Sequence, residues 1–387
     1  FVPMMWASLL CFAVFSVMYV YSTDVPLACE LASRHQQCRV DETGRQCLPD
    51  LSDNRRLVAI GDIHGSYAGL LELLYQAKVT SSPESCSWRE QGPNKEDGLV
   101  LVQVGDLVDR GPDAWGAFDC LRTLQKEAEQ YNSKVVRLVG NHDIWWLNGQ
   151  FRDRNASADT LPVLRQTVTT MIQDIHAGTL VMAYTHTRHD IPLLFVHAGI
   201  RPTFYKYLQK TLHPDKANVV LSPAEITAYA NAQLQQDFGT CTALPCQDKK
   251  SLAKELYEAG PDRGGSGIGG PLWTDFSMLE EAATQNKEPK HFIQVVGHTM
   301  AFCYSPRQIN VHPPSHIAEC SAGLVRASHH LQSVCVDGGL YLGARAYLEL
   351  NQDAHFIAHE RYVGDKKKVE YETYQQRDLT SVACKSM

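Results

Sequence analysis

The sequence predicts a layered α/β fold, and three features carry that expectation. Short β-rich runs recur, each closing on glycine and polar residues: Leu57 to Ile60 into GDIHG, Leu99 to Val104 into GDLVDRG, Val135 to Val139 into GNHD, Leu193 to Val196 into HAGI, and Phe292 to Val296 into GHT. Helical periodicity lies between the first of them. Tyr67, Leu70, Leu71 and Leu74 share one face, and Trp115, Phe118, Leu121 and Leu124 share another after Pro112, a good first-turn residue. The C-terminal part is more purely β, with strands expected over Ser333 to Val336, Tyr341 to Leu350 and His355 to Ala358, separated by Gly338, Gly339 and a turn at Asn351 to Asp353. That tally makes two packed sheets plausible. Strands buried on both faces read as unbroken apolar runs, and ligands in such folds collect beyond the strands' carboxyl ends. The polar terminations are therefore where a site is expected.

From the amino terminus, residues 2–22 (VPMMWASLLCFAVFSVMYVYS) carry no charge and match the roughly twenty apolar residues that cross a bilayer. They are expected to be a signal peptide or a signal-anchor, which implies a secretory-pathway location: secreted, lumenal, or attached to a membrane through that segment. Twelve cysteines suit an oxidising compartment. Cys29, Cys38 and Cys47 stand at equal spacing in a polar connector, 23–56, and Cys241 and Cys246 flank TALP as an expected small disulfide loop. Asn155 begins the one glycosylation sequon. The main domain is expected over 57–363. It is interrupted at 202–270 by an inserted cap with helices around Pro223 to Gln236 and Lys249 to Glu258, then the glycine-rich RGGSGIGG. Residues 364–387, with KKK at 366–368, read as a polar tail. A net charge of −7 lacks the broad cationic field that neutralises phosphate backbones, so nucleic acid is not an expected partner.

The strand-end loops offer Asp62 and His64, Asp106 and Asp109, Asn141 and His142, His197, and His298. Any one of these has an ordinary explanation, since Asp and Asn favour turns. All five loops ending in the same restricted set do not. Carboxylate, imidazole and amide oxygen together suit divalent first-row ions, and a carboxylate such as Asp106 can bridge two of them.

In order, GDIHG at 61–65, GDLVDRG at 105–111, GNHD at 140–143, HAG at 197–199 and GHT at 297–299 resemble the signature of the calcineurin-like metallophosphatases, specifically the phosphoprotein phosphatase group. HAG in place of HGG, PLWT at 271–274 and the lack of a C-terminal SAPNYC-type motif make the chain most similar to the Shewanella-like phosphatases. The resemblance implies a four-layer αββα sandwich, two central mixed β-sheets flanked by helices, with a helical insertion. It implies two divalent ions (manganese, iron or zinc), one held by Asp62, His64 and Asp106, the other by Asp106, Asn141, His197 and His298. It further implies hydrolysis of phosphomonoesters on phosphoprotein (Ser/Thr or Tyr) by a metal-activated water. Arg110 would grip the phosphoryl oxygens along with Asn141. His142, held by Asp109, would give the leaving group its proton, and a carboxylate partner favours the protonated imidazole. Asp143, where the family usually has Glu, is expected to brace the loop. The family's second arginine lies beyond the tryptophan motif. The residues after Trp273, TDFSMLEEA, hold none, which leaves Arg263 and Arg201 as candidates. The alternative is an ApaH-like hydrolase of dinucleoside polyphosphates, which also uses GNHD but tends to lack the DRG found here at 109–111.

Overall fold

The computed structural model describes residues 55–380, apart from 90–97, 152–160, 189–190, 217, 240, 242–245, 247–252, 290, 301–323, 329–330, 352–354 and 363–372. The apolar segment 2–22, the cysteines at 29, 38 and 47, the sequon at 155 and the lysines at 366–368 lie outside the described residues. Among the described residues no helix is long and apolar enough to cross a membrane.

Five of the predicted runs are strands: β1 (Arg56–Ile60), β2 (Leu99–Gln103), β3 (Lys134–Leu138), β6 (Ile191–Val196) and β7 (Ile293–Val296). The others described are β4 (Leu180–Val181), β5 (Ala183–Arg188), β8 (Arg326–Ala327), β9 (Ser333–Cys335), β10 (Arg345–Leu350), β11 (Phe356–Tyr362) and β12 (Thr373–Asp378). They form a seven-stranded sheet in the order β12-β11-β10-β1-β2-β3-β4 and a five-stranded sheet in the order β5-β6-β7-β9-β8. Both are mixed. β1, β2 and β3 run parallel, as do β6, β7 and β9, while β10 and β5 pair antiparallel with β1 and β6.

Side-chain alternation assigns the layers. Leu57, Ala59, Val100, Val102 and Leu138 of the first sheet pack against Leu193, Phe195, Ile293, Val295 and Val334 of the second. Val58, Ile60 and Leu101 face the other way, toward Leu70 and Leu74 of α1 (Tyr67–Gln76) and Phe118 and Leu121 of α2 (Ala114–Ala128). Helix α2 is capped by Asp113, whose carboxylate accepts the Gly116 N–H at 2.7 Å. The chain continues through α3 (Asn141–Leu147), α4 (Leu161–His176), α5 (Pro202–Leu212), α6 (Pro223–Asp237) and α7 (Phe276–Thr284). Helix α6 covers β5 and β6, and α7 covers β9. The result is helices, sheet, sheet, helices, as the resemblance implied.

Three local expectations differ. Over Lys249 to Glu258 the described part holds only a single 3-10 turn, Lys254–Leu256, ahead of Gly260 and Pro261. The strand expected from Tyr341 begins at Arg345 instead. Gly339 and Gly343, with φ of 78° and 101°, close a 3-10 turn at Leu340–Leu342 in a left-handed conformation that ordinary residues resist. Residues 373–378, in the stretch read as tail, form the edge strand β12 paired with β11.

Among the described residues two disulfides are formed, Cys86–Cys120, which ties the loop after α1 to α2, and Cys241–Cys246. The first was not legible from spacing.

One buried carboxyl makes stability depend on pH. Glu288 is 4% exposed; its Oε1 accepts the Ser333 hydroxyl at 2.9 Å, and its Oε2 has no hydrogen-bond partner among the described residues. Burial pushes it from the ordinary 4.5 up to about 8. The folded state thus keeps a proton that the unfolded chain sheds, so stability falls as pH rises from 4.5 to about 8 and levels off above. Glu288→Gln is expected to unfold at a higher temperature than the parent at pH 8, with the gap closing below pH 4.5, as measured by calorimetry across that range.

Candidate active site

The parallel strands of both sheets deliver their carboxyl-end loops to one rim. Asp62 and His64 follow β1, Asp106 to Arg110 follow β2, Asn141 and His142 open α3 just past β3, His197 follows β6, and His298 follows β7. Asp62, His64, Asp106, Asn141, His142 and His197 are all buried, and His298 is partly so. Five residues of the rim hold left-handed backbone: His64 (φ 49°), Asp106 (54°), Asp109 (74°), Arg110 (67°) and His298 (65°). Such conformations persist only where surrounding structure enforces them, and they concentrate at functional sites.

The enforcement is visible. Asp143 directs its carboxylate at three backbone N–H groups, those of Leu107 (3.0 Å), Val108 (3.2 Å) and Gly140 (2.7 Å), and so fastens the β2 loop to the start of α3. Gly140 has no room for a side chain, because a Cβ there would lie 2.1 Å from Asp106 Oδ1. Gly140→Ala is therefore expected to displace the Asp106 carboxylate and to weaken manganese binding by about tenfold or more, read by titration calorimetry with the circular dichroism spectrum unchanged.

Two groups of donors each lie within 4.8 Å of one another: His64, Asp106 and His142, and Asp106, His197 and His298. Asp62 Oδ2 is 3.8 Å from His64 Nε2, and Asp106 Oδ2 is 3.5 Å from the same atom. His64 Nδ1 is bonded to the Val108 carbonyl at 3.1 Å, so Nδ1 carries the proton and the Nε2 lone pair faces two carboxylates. His197 repeats the pattern. Its Nδ1 donates to the Val104 carbonyl at 2.9 Å, and its Nε2 faces Asn141 Oδ1 at 2.9 Å and Asp106 Oδ1 at 3.5 Å. His298 Nδ1 lies 3.0 Å from the same Asn141 oxygen, while its buried Nε2 has no hydrogen-bond partner among the described residues.

Acceptors converging on acceptors repel unless positive charge sits among them. With protons alone the cluster is in conflict. Burial pushes His64 down to about 3 and, with His197 beside it, holds His298 well below the usual imidazole range. Burial opposes the charging of His197, but Asp106 and Asp62 override it and push that imidazole up to about 10. Burial, then Asp337, raise Asp62 well above the carboxylate range; the neighbouring imidazoles of His197 and His142 overcome burial and hold Asp106 well below it. Burial and Asp106 push Asp337 itself up to about 6. Oxygen and nitrogen donors, with His64 and His197 each fixed by a backbone carbonyl on the far nitrogen, fit divalent cations shared through Asp106.

Beside this cluster stands the residue set expected to act on the substrate. His142 Nδ1 lies 2.5 Å from Asp109 Oδ2, and Arg110 Nη2 donates to His142 Nε2 at 2.9 Å. Arg110 Nη1 donates to the Tyr341 hydroxyl at 3.0 Å. The imidazole of His142 touches Trp145, with ring centroids 4.5 Å apart, and Trp145 touches Trp273 at 5.4 Å. Of the two candidates for a second arginine, Arg201 is paired with Asp262 at 2.7 Å. Arg263 is paired with Asp275 at 2.7 Å and bonded to Thr299 at 2.9 Å, and its charge reaches His298. Neither donates to the cluster. The sequence motifs give no site role to Asp337, Tyr341 or Trp145, and they mark Trp273 only as part of PLWT. For Asp337 a signal existed, since Val334 to Val336 run into Asp-Gly-Gly just as the other strands run into their motifs.

Residues 55–240 match the calcineurin-like phosphoesterase family. An uncharacterized protein of Schizosaccharomyces pombe is 32% identical over 161 residues, which is 40% of this chain and 46% of that protein. Shewanella-like protein phosphatase 1 of Plasmodium berghei is 38% identical over 98 residues, 25% of each. The chain thus spans less than half the length of these curated relatives. A solved structure of a cold-active protein tyrosine phosphatase superposes with a TM-score of 0.51 at 18% identity, covering 79% of this chain and 76% of that one, a likeness of fold.

Proposed function

We propose that this chain, which carries a calcineurin-like metallophosphatase domain, is a dinuclear metal-dependent phosphatase that hydrolyses phosphomonoesters on phosphoproteins. The single observation that carries this reading is the pair of buried donor groups that share Asp106. Asp62, His64 and Asp106 would hold one cation, and Asp106, Asn141, His197 and His298 the other; their oxygen and nitrogen donors suit manganese, iron or zinc. When bound, the two cations supply Lewis acidity, lowering the pKa of water and offsetting charge on the phosphoryl oxygens.

The chain's own groups do the rest. Arg110 presents a forked donor set matched to phosphate. Without substrate its Nη2 donates to His142 Nε2. A phosphoryl group draws the guanidinium away, and Nε2 is then free to carry the proton that the leaving oxygen takes. Asp109 fixes the other ring nitrogen, so that Nε2 is the nitrogen turned to the substrate. The indole of Trp145 lies against this proton donor and that of Trp273 against Trp145, an aromatic wall beside the leaving group that supports phosphotyrosine over phosphoserine. The Plasmodium relative, a Shewanella-like protein phosphatase, also supports a protein substrate.

The test is a panel of phosphoseryl, phosphothreonyl and phosphotyrosyl peptides set beside diadenosine tetraphosphate, each with and without chelator. Chelator-sensitive release of phosphate from the peptides, greatest from phosphotyrosine and with Trp145→Ala narrowing that preference, is the expected outcome. Turnover of the dinucleotide alone would replace this reading with the pyrophosphohydrolase. Export to the secretory pathway is part of the proposal, supported by two disulfides within the domain.

A further inference from the structure

Strand β9 lies parallel to β7, so its carboxyl end opens on the same rim as the five loops above. Just beyond it stands Asp337, 1% exposed. Its Oδ1 accepts the Gly339 N–H at 3.0 Å, which closes the turn. Its Oδ2 is buried and has no hydrogen-bond partner among the described residues.

The residue backs directly onto the first motif. A Cβ on Gly61 would lie 2.4 Å from the Val336 carbonyl oxygen and 2.9 Å from Asp337 Cα, so the two backbones touch immediately before Asp62. The charge of Asp337 acts on Asp62, and that of Asp106 acts on Asp337. Three carboxylates, Asp62 at 2%, Asp106 at 1% and Asp337 at 1% exposure, therefore share one solvent-poor pocket. Among the described residues, the positive groups that act most on Asp337 are His197 and Arg110. His197 already answers to Asp106 and Asp62, and Arg110 is bonded to His142 and Tyr341. A brace for the Gly339 turn needs one oxygen and no charge, and an Asn would serve as well. An ionised second oxygen, buried and unpartnered, is costly unless a cation shares its pocket.

Resting on the two-cation reading above, we propose that Asp337 is a further determinant of cation binding, a carboxylate outside the Asp62, His64 and Asp106 set that strengthens the hold on the ion they carry. It is a positioning residue and touches no reacting atom.

The test is calorimetric titration of manganese into the metal-free full chain, comparing the parent with Asp337→Asn and Asp337→Ala. The Asn variant keeps the acceptor for Gly339 and the volume, and loses only the charge. The parent is expected to take up two ions, and the Asn variant to bind one of them about tenfold to a hundredfold more weakly while the other is little changed. The metal-free Asn variant is also expected to unfold at a higher temperature than the metal-free parent, because an uncompensated buried charge is gone. A parent that binds two ions and an Asn variant that matches it, with losses confined to Ala, overturns this assignment alone and leaves Asp337 a brace. A parent that binds no manganese overturns the two-cation reading and this assignment with it.

Discussion

Asp106→Asn is expected to lower phosphatase turnover on the order of 10³-fold or more while leaving the fold intact, since Lewis-acid stabilisation amounts to several kcal/mol and each ~1.4 kcal/mol is a factor of ten. Among the described residues Asp106 is the side chain that belongs to both donor groups. Asp106 Oδ2 is 3.5 Å from His64 Nε2, Oδ1 is 3.5 Å from His197 Nε2, and Oδ1 also accepts the His142 N–H at 2.9 Å. Asn keeps the shape and one oxygen but cannot bridge as an anion. Because His197 and His142 hold the Asp106 carboxylate ionised even without metal, the metal-free variant is expected to unfold at a somewhat lower temperature than the metal-free parent. A loss of activity far larger than that modest loss of stability separates a functional carboxylate from a structural one. The pair of measurements is turnover of p-nitrophenyl phosphate with saturating manganese, and calorimetric unfolding after chelation.

His142→Asn is expected to cost about 10² to 10⁴ in kcat, the usual range for removing a positioned proton donor. The loss should depend on the leaving group. An alkyl phosphate leaves as a strongly basic alkoxide and needs the proton, whereas p-nitrophenolate leaves readily without it. The variant should therefore be impaired more on phosphoserine-type substrates than on p-nitrophenyl phosphate, with manganese stoichiometry unchanged because Asn141 and Asp106 remain. Asp109→Asn should follow the same order with a smaller loss, since it disturbs only the Nδ1 bond that aims the ring. Equal losses on both substrates would remove His142 from the proton-transfer step.

Much of this site was legible because its chemistry is local in the sequence. Asp62, Asp106, Asn141, His197 and His298 each follow an apolar run directly, and parallel strands carry such positions to one rim whatever the loops do elsewhere. Asp143 as a brace was legible for the same reason, sitting two residues past Asn141. What escaped depends on contacts between segments distant in sequence. Trp145 and Trp273 form one wall from helix α3 and the loop before α7, and nothing in either segment announces the other. Cys86 and Cys120, separated by 34 residues, pair because α2 lies against the loop after α1. Tyr341 was read as part of a strand because its neighbours are β-formers. Two left-handed glycines instead turn it back over Arg110, whose guanidinium carbon lies 5.1 Å from its ring centroid. Asp337 is followed by two glycines rather than by a second ligand-type residue, so its strand end carries no such motif. Of the two candidates for the arginine missing after Trp273, neither is bonded into the cluster, and Arg263, held by Asp275, is the nearer in charge.

The most direct test of the central claim is an anomalous-difference map from crystals of the chain grown with manganese. The account predicts two peaks about 3.5 to 4 Å apart with the Asp106 carboxylate between them. A map with no peak at Asp106, or a single ion bound elsewhere on the molecule, would contradict it.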